Sequence, residues 1–131
     1  MNHPSPDEPH IRVLIADDDY AFLESLQALI DRQPELAVVG RAVDGLEAIE
    51  LAEDLRPDAV VLDLHMPLLD GVSAATRLRQ DHPNVCLIAL TGDEAPALHR
   101  AVREAGADEV LLKSELVDGL VERLSAARAR A

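Results

Sequence analysis

Carboxylates, a hydroxyl and an ammonium stand at the ends of several apolar runs. Asp17, Asp18 and Asp19 follow Val13-Leu14-Ile15-Ala16, Asp63 stands in Leu62-Asp63-Leu64-His65-Met66-Pro67, Thr91 follows Leu90, and Lys113 follows Leu111-Leu112. Two carboxylates ~4 Å apart repel by about 4 kcal/mol at an effective dielectric of about 20, so a cluster of them wants a cation. The donors are all oxygen, with no Cys or His at metal spacing, which favours Mg²⁺ over Zn²⁺. Mg²⁺ takes one or two carboxylates, keeps several waters and accepts a phosphate oxygen, so a phosphate donor suits the incomplete shell. A flavin phosphate does not suit it: a phosphate cradle needs a turn of small residues with its N–H groups facing the anion, and three aspartates there would repel it.

These residues meet only if the chain folds to bring the run ends together. Strands are expected over residues 11–16, 36–42, 59–64, 85–90 and 109–112, most of them near-continuous apolar runs as in parallel strands covered on both faces. Stretches of helical period separate them. Phe22, Leu23, Leu26, Leu29 and Ile30 make one stripe, and Ala48, Leu51, Ala52 and Leu55 the next. Leu98, Ala101, Val102 and Ala105 make a fourth-helix stripe, and Leu116, Val117, Leu120, Val121 and Leu124 the last, while the third helix, around residues 72–80, is the weakest by period. Five β/α units with short links predict an α/β fold, a doubly wound five-stranded parallel sheet with right-handed crossovers and the flavodoxin-like strand order 2-1-3-4-5. In such a sheet the working site lies beyond the carboxyl ends of the strands, where strand order reverses. Asp17, Asp18, Asp63, Thr91 and Lys113 then converge on one edge.

With those residues in place, the chain resembles a two-component response regulator receiver domain over nearly all of residues 11–129. The matching stretches are Val13-Leu14-Ile15-Ala16-Asp17-Asp18, Leu62-Asp63-Leu64-His65-Met66-Pro67 with Asp70-Gly71, Leu90-Thr91-Gly92, and Gly106-Ala107-Asp108 leading to Leu112-Lys113. The resemblance implies that Asp63 accepts a phosphoryl group from a kinase phosphohistidine. It also implies that Asp17, Asp18 and Asp63, with the main-chain carbonyl of His65, hold Mg²⁺, and that Thr91 and Lys113 bind the phosphoryl oxygens. Physical chemistry is in accord: a carboxylate nucleophile can form an acyl phosphate, and cations neutralise charge spreading over the equatorial oxygens. The implied partners are a sensor histidine kinase or phosphotransfer protein, a downstream protein target and, in a homodimer, a second copy. Two positions depart from the family pattern. Val110 stands where an aromatic ring often takes part in the switch, and Ser114 follows Lys113 where proline is common, which argues against a cis peptide there.

Composition narrows the field. Among 131 residues, 12 are Lys or Arg and 25 Asp or Glu, a formal charge of -13 that opposes direct nucleic-acid or membrane binding. Apolar residues make up 48%, enough for one core, and no apolar run approaches the ~20 residues that span a bilayer. The one cysteine, Cys86, makes no internal disulfide and reads as a core residue; with no leader before the first strand, a cytoplasmic protein is expected. Residues 1–10, with Pro4, Pro6 and Pro9, read as a flexible tail before a receiver domain over 11–131. Other roles compete at single positions. Asp19 fits a helix N-cap, and Thr91 with Glu94 has the spacing of a capping box, which can coexist with chemistry.

Three functions compete for these residues: a phosphorylatable signalling receiver that catalyses only its own phosphoryl transfer and slow dephosphorylation, a small phosphatase with Asp17 as nucleophile and Asp19 as general acid, and a phosphate-independent binding module. The phosphatase reading rests on an Asp-x-Asp strand end similar to haloacid dehalogenase-type enzymes, but leaves Asp63 unexplained. The binding module would lack Asp63, Lys113 or the acidic pair, and all are present. No output domain follows within the sequence, which fits a stand-alone receiver or one from a longer regulator; the run from Gly106 to Lys113 is similar to receivers that precede a DNA-binding helix-turn-helix domain.

Overall fold

The computed structural model describes residues 11–130, excluding the side chains of residues 116–118 and 127–130. The tail expected over residues 1–10 and the stripe members Leu116 and Val117 therefore lie outside the described residues and side chains. Apolar runs with no polar face must be covered on both sides, and five of them pair in parallel: β1 (Ile11–Ala16), β2 (Leu36–Ala42), β3 (Ala59–Asp63), β4 (Cys86–Thr91) and β5 (Glu109–Leu112). Their order is β2-β1-β3-β4-β5, as expected. Two strands differ from the expectation, β3 by a residue at its end and β4 by a residue at each end. β3 stops at Asp63, and β4 runs from Cys86 to Thr91 because Thr91 still pairs with Leu112 in the ladder.

Side chains alternate across the sheet and divide the core in two. Leu14, Val60, Leu62, Leu87, Ala89 and Val110 face one layer, and Val13, Ile15, Val61, Ile88, Leu90 and Leu111 face the other. The first layer is closed by α2 (Gly45–Leu55), α3 (Gly71–Asp81) and α4 (Pro96–Ala105), through Ala48, Ala52, Ala74, Ala75, Leu78 and Val102. The second is closed by α1 (Tyr20–Asp31) and α5 (Leu116–Arg130), through Leu23, Leu26, Ile30, Leu120 and Leu124. Cys86 is buried in this second layer.

Local chemistry explains the helix starts. Asp19 caps α1 by accepting from the N–H groups of Ala21 and Phe22; Asp44 caps α2 and Asp70 caps α3. α3 is weakly periodic because its buried face is narrow, made of Ala74, Ala75 and Leu78, yet its capped start fixes it. The capping box expected of Thr91 and Glu94 does not form. α4 starts later, at Pro96, which needs no N–H partner in the first turn, and Ala95 at the cap offers no side-chain acceptor. Among the described side chains of α4 only Val102 is fully buried, so this helix is lightly held at the edge of the site.

The loop between β3 and α3 is pinned at its far end. A Cβ on Gly71 would lie 2.6 Å from Leu64 Cα, so only glycine lets the helix start approach the strand end this closely. At the opposite end of the sheet, the Arg79 guanidinium donates to the carbonyls of Gly106, Pro83 and Val85 and to Asp108, tying α3 to the turns around β4 and β5.

Candidate functional site

The alternation that builds the core also aims the site. Continuing the pleat past Ile15 and Val61 puts Asp17 and Asp63 on the α1/α5 side, and continuing it past Leu111 puts Lys113 there too. Asp17 and Asp63 are almost wholly buried, at 1% and 2% exposure, whereas Asp18 is exposed. Carboxylate oxygens of Asp17, Asp18 and Asp63 all lie within 4.8 Å of one another. Lys113 opens a 3-10 turn (Lys113–Glu115) and donates from Nζ to Asp17 Oδ2 at 2.8 Å. The same Nζ stands 3.5 Å from Asp63 Oδ1, a charge contact rather than a hydrogen bond.

Asp63 Oδ1 is thus buried without a hydrogen-bond partner among the described residues. A buried polar oxygen left in that condition is costly, and its presence needs a reason. A hard divalent cation is the ligand that three converging carboxylates and an orphaned oxygen fit. Burial, then the charge of Asp17, push the Asp63 carboxyl above its ordinary value, against the opposing pull of Lys113 and of the His65 N–H. Burial works to lower the Lys113 ammonium, but its hydrogen bond to Asp17 and the charges of Asp63 and Asp17 outweigh burial and raise it. Lys113 is therefore held charged beside a carboxylate that resists ionisation.

Asp19 stands apart from the cluster. Its carboxylate is committed to the α1 cap, which leaves it poorly placed for the general-acid role of a phosphatase. Its own N–H instead donates to Asp17 Oδ1 at 2.9 Å and helps fix that carboxylate.

Thr91 is wholly buried at the end of β4, on the pleat facing α4 rather than that of Asp63. Its Oγ1 accepts from the Asp93 N–H at 2.9 Å and shares a hydrogen bond of 3.2 Å with Nε2 of His65. His65 itself is exposed, in the loop after β3. Val110 is buried in β5 opposite Ala89, and every described peptide bond, that of Ser114 included, is trans.

Sequence reasoning missed two features. Phe22, read only as a member of the α1 core stripe, places its ring 4.3 Å from Lys113 Nζ. That is cation–π distance, and the ring joins Asp17 in confining the ammonium. The only available signal was its position three residues beyond the Asp19 cap, on the turn nearest the acidic pair. The His65–Thr91 bond had no sequence signal, because 26 residues and a helix separate the two.

Known proteins are similar to this chain in sequence and fold. The family model described as the response regulator receiver domain matches residues 13–125. The transcriptional regulatory protein PrrA of Mycobacterium tuberculosis is 43% identical over 88% of this chain and 48% of its own length. The transcriptional regulatory protein DegU of Brevibacillus brevis is 36% identical over 88% of this chain and 49% of its own. The chain thus spans about half the length of these curated relatives. The crystal structure of the response regulator domain of Thermotoga maritima CheB superposes with a TM-score of 0.84 at 31% identity, covering 92% of this chain and 97% of that one. Fold, strand order and sequence agree, and the chain belongs to the response regulator receiver domain family of two-component systems.

Proposed function

We propose that Asp63 is the phosphoacceptor of this receiver. The observation that carries the reading is Asp63 Oδ1, buried without a hydrogen bond, 3.5 Å from Lys113 Nζ and beside Asp17 and Asp18. A carboxylate oxygen kept poorly solvated and without a hydrogen bond is free to attack phosphorus. In the transfer an Asp63 oxygen bonds to phosphorus as the P–N bond of a phosphohistidine breaks, and the imidazole leaves with that electron pair. Lys113, held charged by Asp17, meets the negative charge on the transferred oxygens, and Thr91 offers its hydroxyl to one of them.

Asp17, Asp18, Asp63 and the main-chain carbonyl of His65 would hold Mg²⁺, which when bound neutralises charge between the carboxylates and the phosphoryl group. The donor is a sensor histidine kinase or phosphotransfer protein, and the recipient of the signal a downstream protein target, with homodimerisation as one form of output. The chain acts as a signalling domain whose own chemistry is limited to its phosphoryl transfer and slow dephosphorylation. A chain of net charge -13 makes no direct contact with nucleic acid or an anionic membrane, none of the described helices is long and apolar enough to cross a bilayer, and we place the protein in the cytoplasm.

Intact mass after incubation with acetyl phosphate and Mg²⁺ tests the assignment. One phosphoryl group should appear on an acid-labile, hydroxylamine-sensitive bond and be absent from Asp63→Asn. Equal labelling of that variant through a hydroxylamine-resistant bond would overturn it.

A further inference from the structure

The Thr91 hydroxyl is already engaged before any phosphoryl group arrives. A hydroxyl has one proton to donate and two lone pairs. The Asp93 N–H occupies one lone pair, and His65 Nε2 takes a second position at 3.2 Å, as donor or acceptor according to the ring's tautomer. Among the described residues no hydrogen bond reaches Asp63 Oδ1 on the neighbouring strand, although that oxygen is buried. The hydroxyl is thus bonded to the ring and not to Asp63 Oδ1.

We propose that His65 is a positioning residue that latches Thr91 in the resting arrangement, so that the His65–Thr91 bond must break before Thr91 closes on a phosphoryl group at Asp63. This inference rests on the reading of Asp63 as the phosphoacceptor. Three observations carry it. The His65 ring is exposed, so burial does not hold it against Thr91. The bond links the loop after β3 to the end of β4, the two segments that flank the nucleophile. Finally, α4 beyond Thr91 lacks a side-chain cap and fully buries only Val102, and the His99 ring on the Asp93 carbonyl ties the loop to α4 itself, so loop and helix can shift together once the His65 bond is released.

A latch of this kind lowers the fraction of molecules ready to bind a phosphoryl mimic, and apparent affinity falls by that fraction. Removing one net hydrogen bond should raise the affinity about three- to tenfold.

The test is titration of the protein with beryllofluoride at fixed pH and saturating Mg²⁺, followed by calorimetry and backbone NMR, for wild type, His65→Leu and His65→Gln. Glutamine can place an amide nitrogen near the position of Nε2, so it should keep wild-type affinity, while leucine should bind about three- to tenfold tighter. In the free His65→Leu protein, the amides of Gly92 and Asp93 should shift part of the way along the path that beryllofluoride causes in wild type. Unchanged or weaker binding by His65→Leu, the same tightening in His65→Gln, or amide shifts off that path would each overturn the latch. If Asp63 is phosphorylated and only these results fail, the latch falls alone. If wild type neither binds beryllofluoride nor takes phosphate on Asp63, the phosphoacceptor reading falls with it.

Discussion

Replacing Asp63 by asparagine should make the metal-free protein more stable. Asp17 lies within 4.8 Å of Asp63, which costs at least about 3.5 kcal/mol at an effective dielectric of about 20. Asp18 is exposed, so the same separation at the dielectric of water adds about 0.9 kcal/mol. Lys113 Nζ, 3.5 Å from Oδ1, returns about 4.7 kcal/mol at the lower dielectric. The charge contributions nearly cancel, and burial of an oxygen with no hydrogen bond decides the balance. An asparagine keeps the shape and loses the charge, and Lys113 retains its 2.8 Å bond to Asp17. The expected gain is about 1–2 kcal/mol, or roughly 3–10 °C in Tm.

The pH dependence follows from the raised carboxyl. A group whose folded pKa lies above its unfolded value carries no penalty below the latter, 3.8. The penalty grows as pH rises and is complete above the folded pKa. Urea denaturation in EDTA from about pH 4 to about pH 8 should therefore show a gap between variant and wild type that widens with pH. Added Mg²⁺ should narrow it by stabilising wild type more. A variant that is no more stable than wild type at neutral pH in EDTA, or a gap independent of pH, would refute the reasoning.

Asp70→Ala removes the α3 cap, with loss of its bonds to the Ser73 N–H and hydroxyl, and should cost about 1 kcal/mol in urea denaturation at neutral pH. Those bonds, the N–H first, hold the Asp70 carboxyl below its ordinary value of 3.8, so its contribution is present above that pH and should vanish as pH falls through the depressed folded value. Arg79→Ala strips three carbonyls and Asp108 of a charged donor, and a loss of about 2–4 kcal/mol is expected by the same measurement, with phosphorylation of Asp63 retained at temperatures where the fold persists. In a beryllofluoride complex compared with the free form, the largest displacement should lie in residues 91–96 and α4, with little at Val110, whose short side chain is stiff at χ1. A structure in which Val110 moves most while the Thr91 loop stays fixed would contradict this.

Much of the molecule was written in local pattern. Near-continuous apolar runs need cover on both faces and so declare parallel strands, helical stripes declare what covers them, and short links between them leave few topologies. That reasoning placed β1, β2 and β5 to the residue, and it brought Asp17, Asp18, Asp63, Thr91 and Lys113 to one edge of the sheet. It also gave Asp19 its cap. It erred at Thr91, where the spacing to Glu94 suggested a cap; pairing with Leu112 extends the strand through Thr91, and Pro96 sets the helix start.

What sequence could not supply is the engagement of each side chain once the edge is assembled. Lys113 meets Asp17 across 96 residues, and the outcome depends on which pleat each strand presents and on the Phe22 ring that α1 brings against the ammonium. Asp63 Oδ1 is left without a hydrogen bond among the described residues, and Thr91 is claimed by His65, because a loop and a strand end meet at a distance of 3.2 Å. Periodicity is a property of neighbours along the chain, whereas hydrogen bonds are decided over tenths of an ångström between segments that only the packed sheet brings together. The sequence therefore determined which groups share the site, and the tertiary structure decided which of them are already bonded to each other and which oxygen is left free to react.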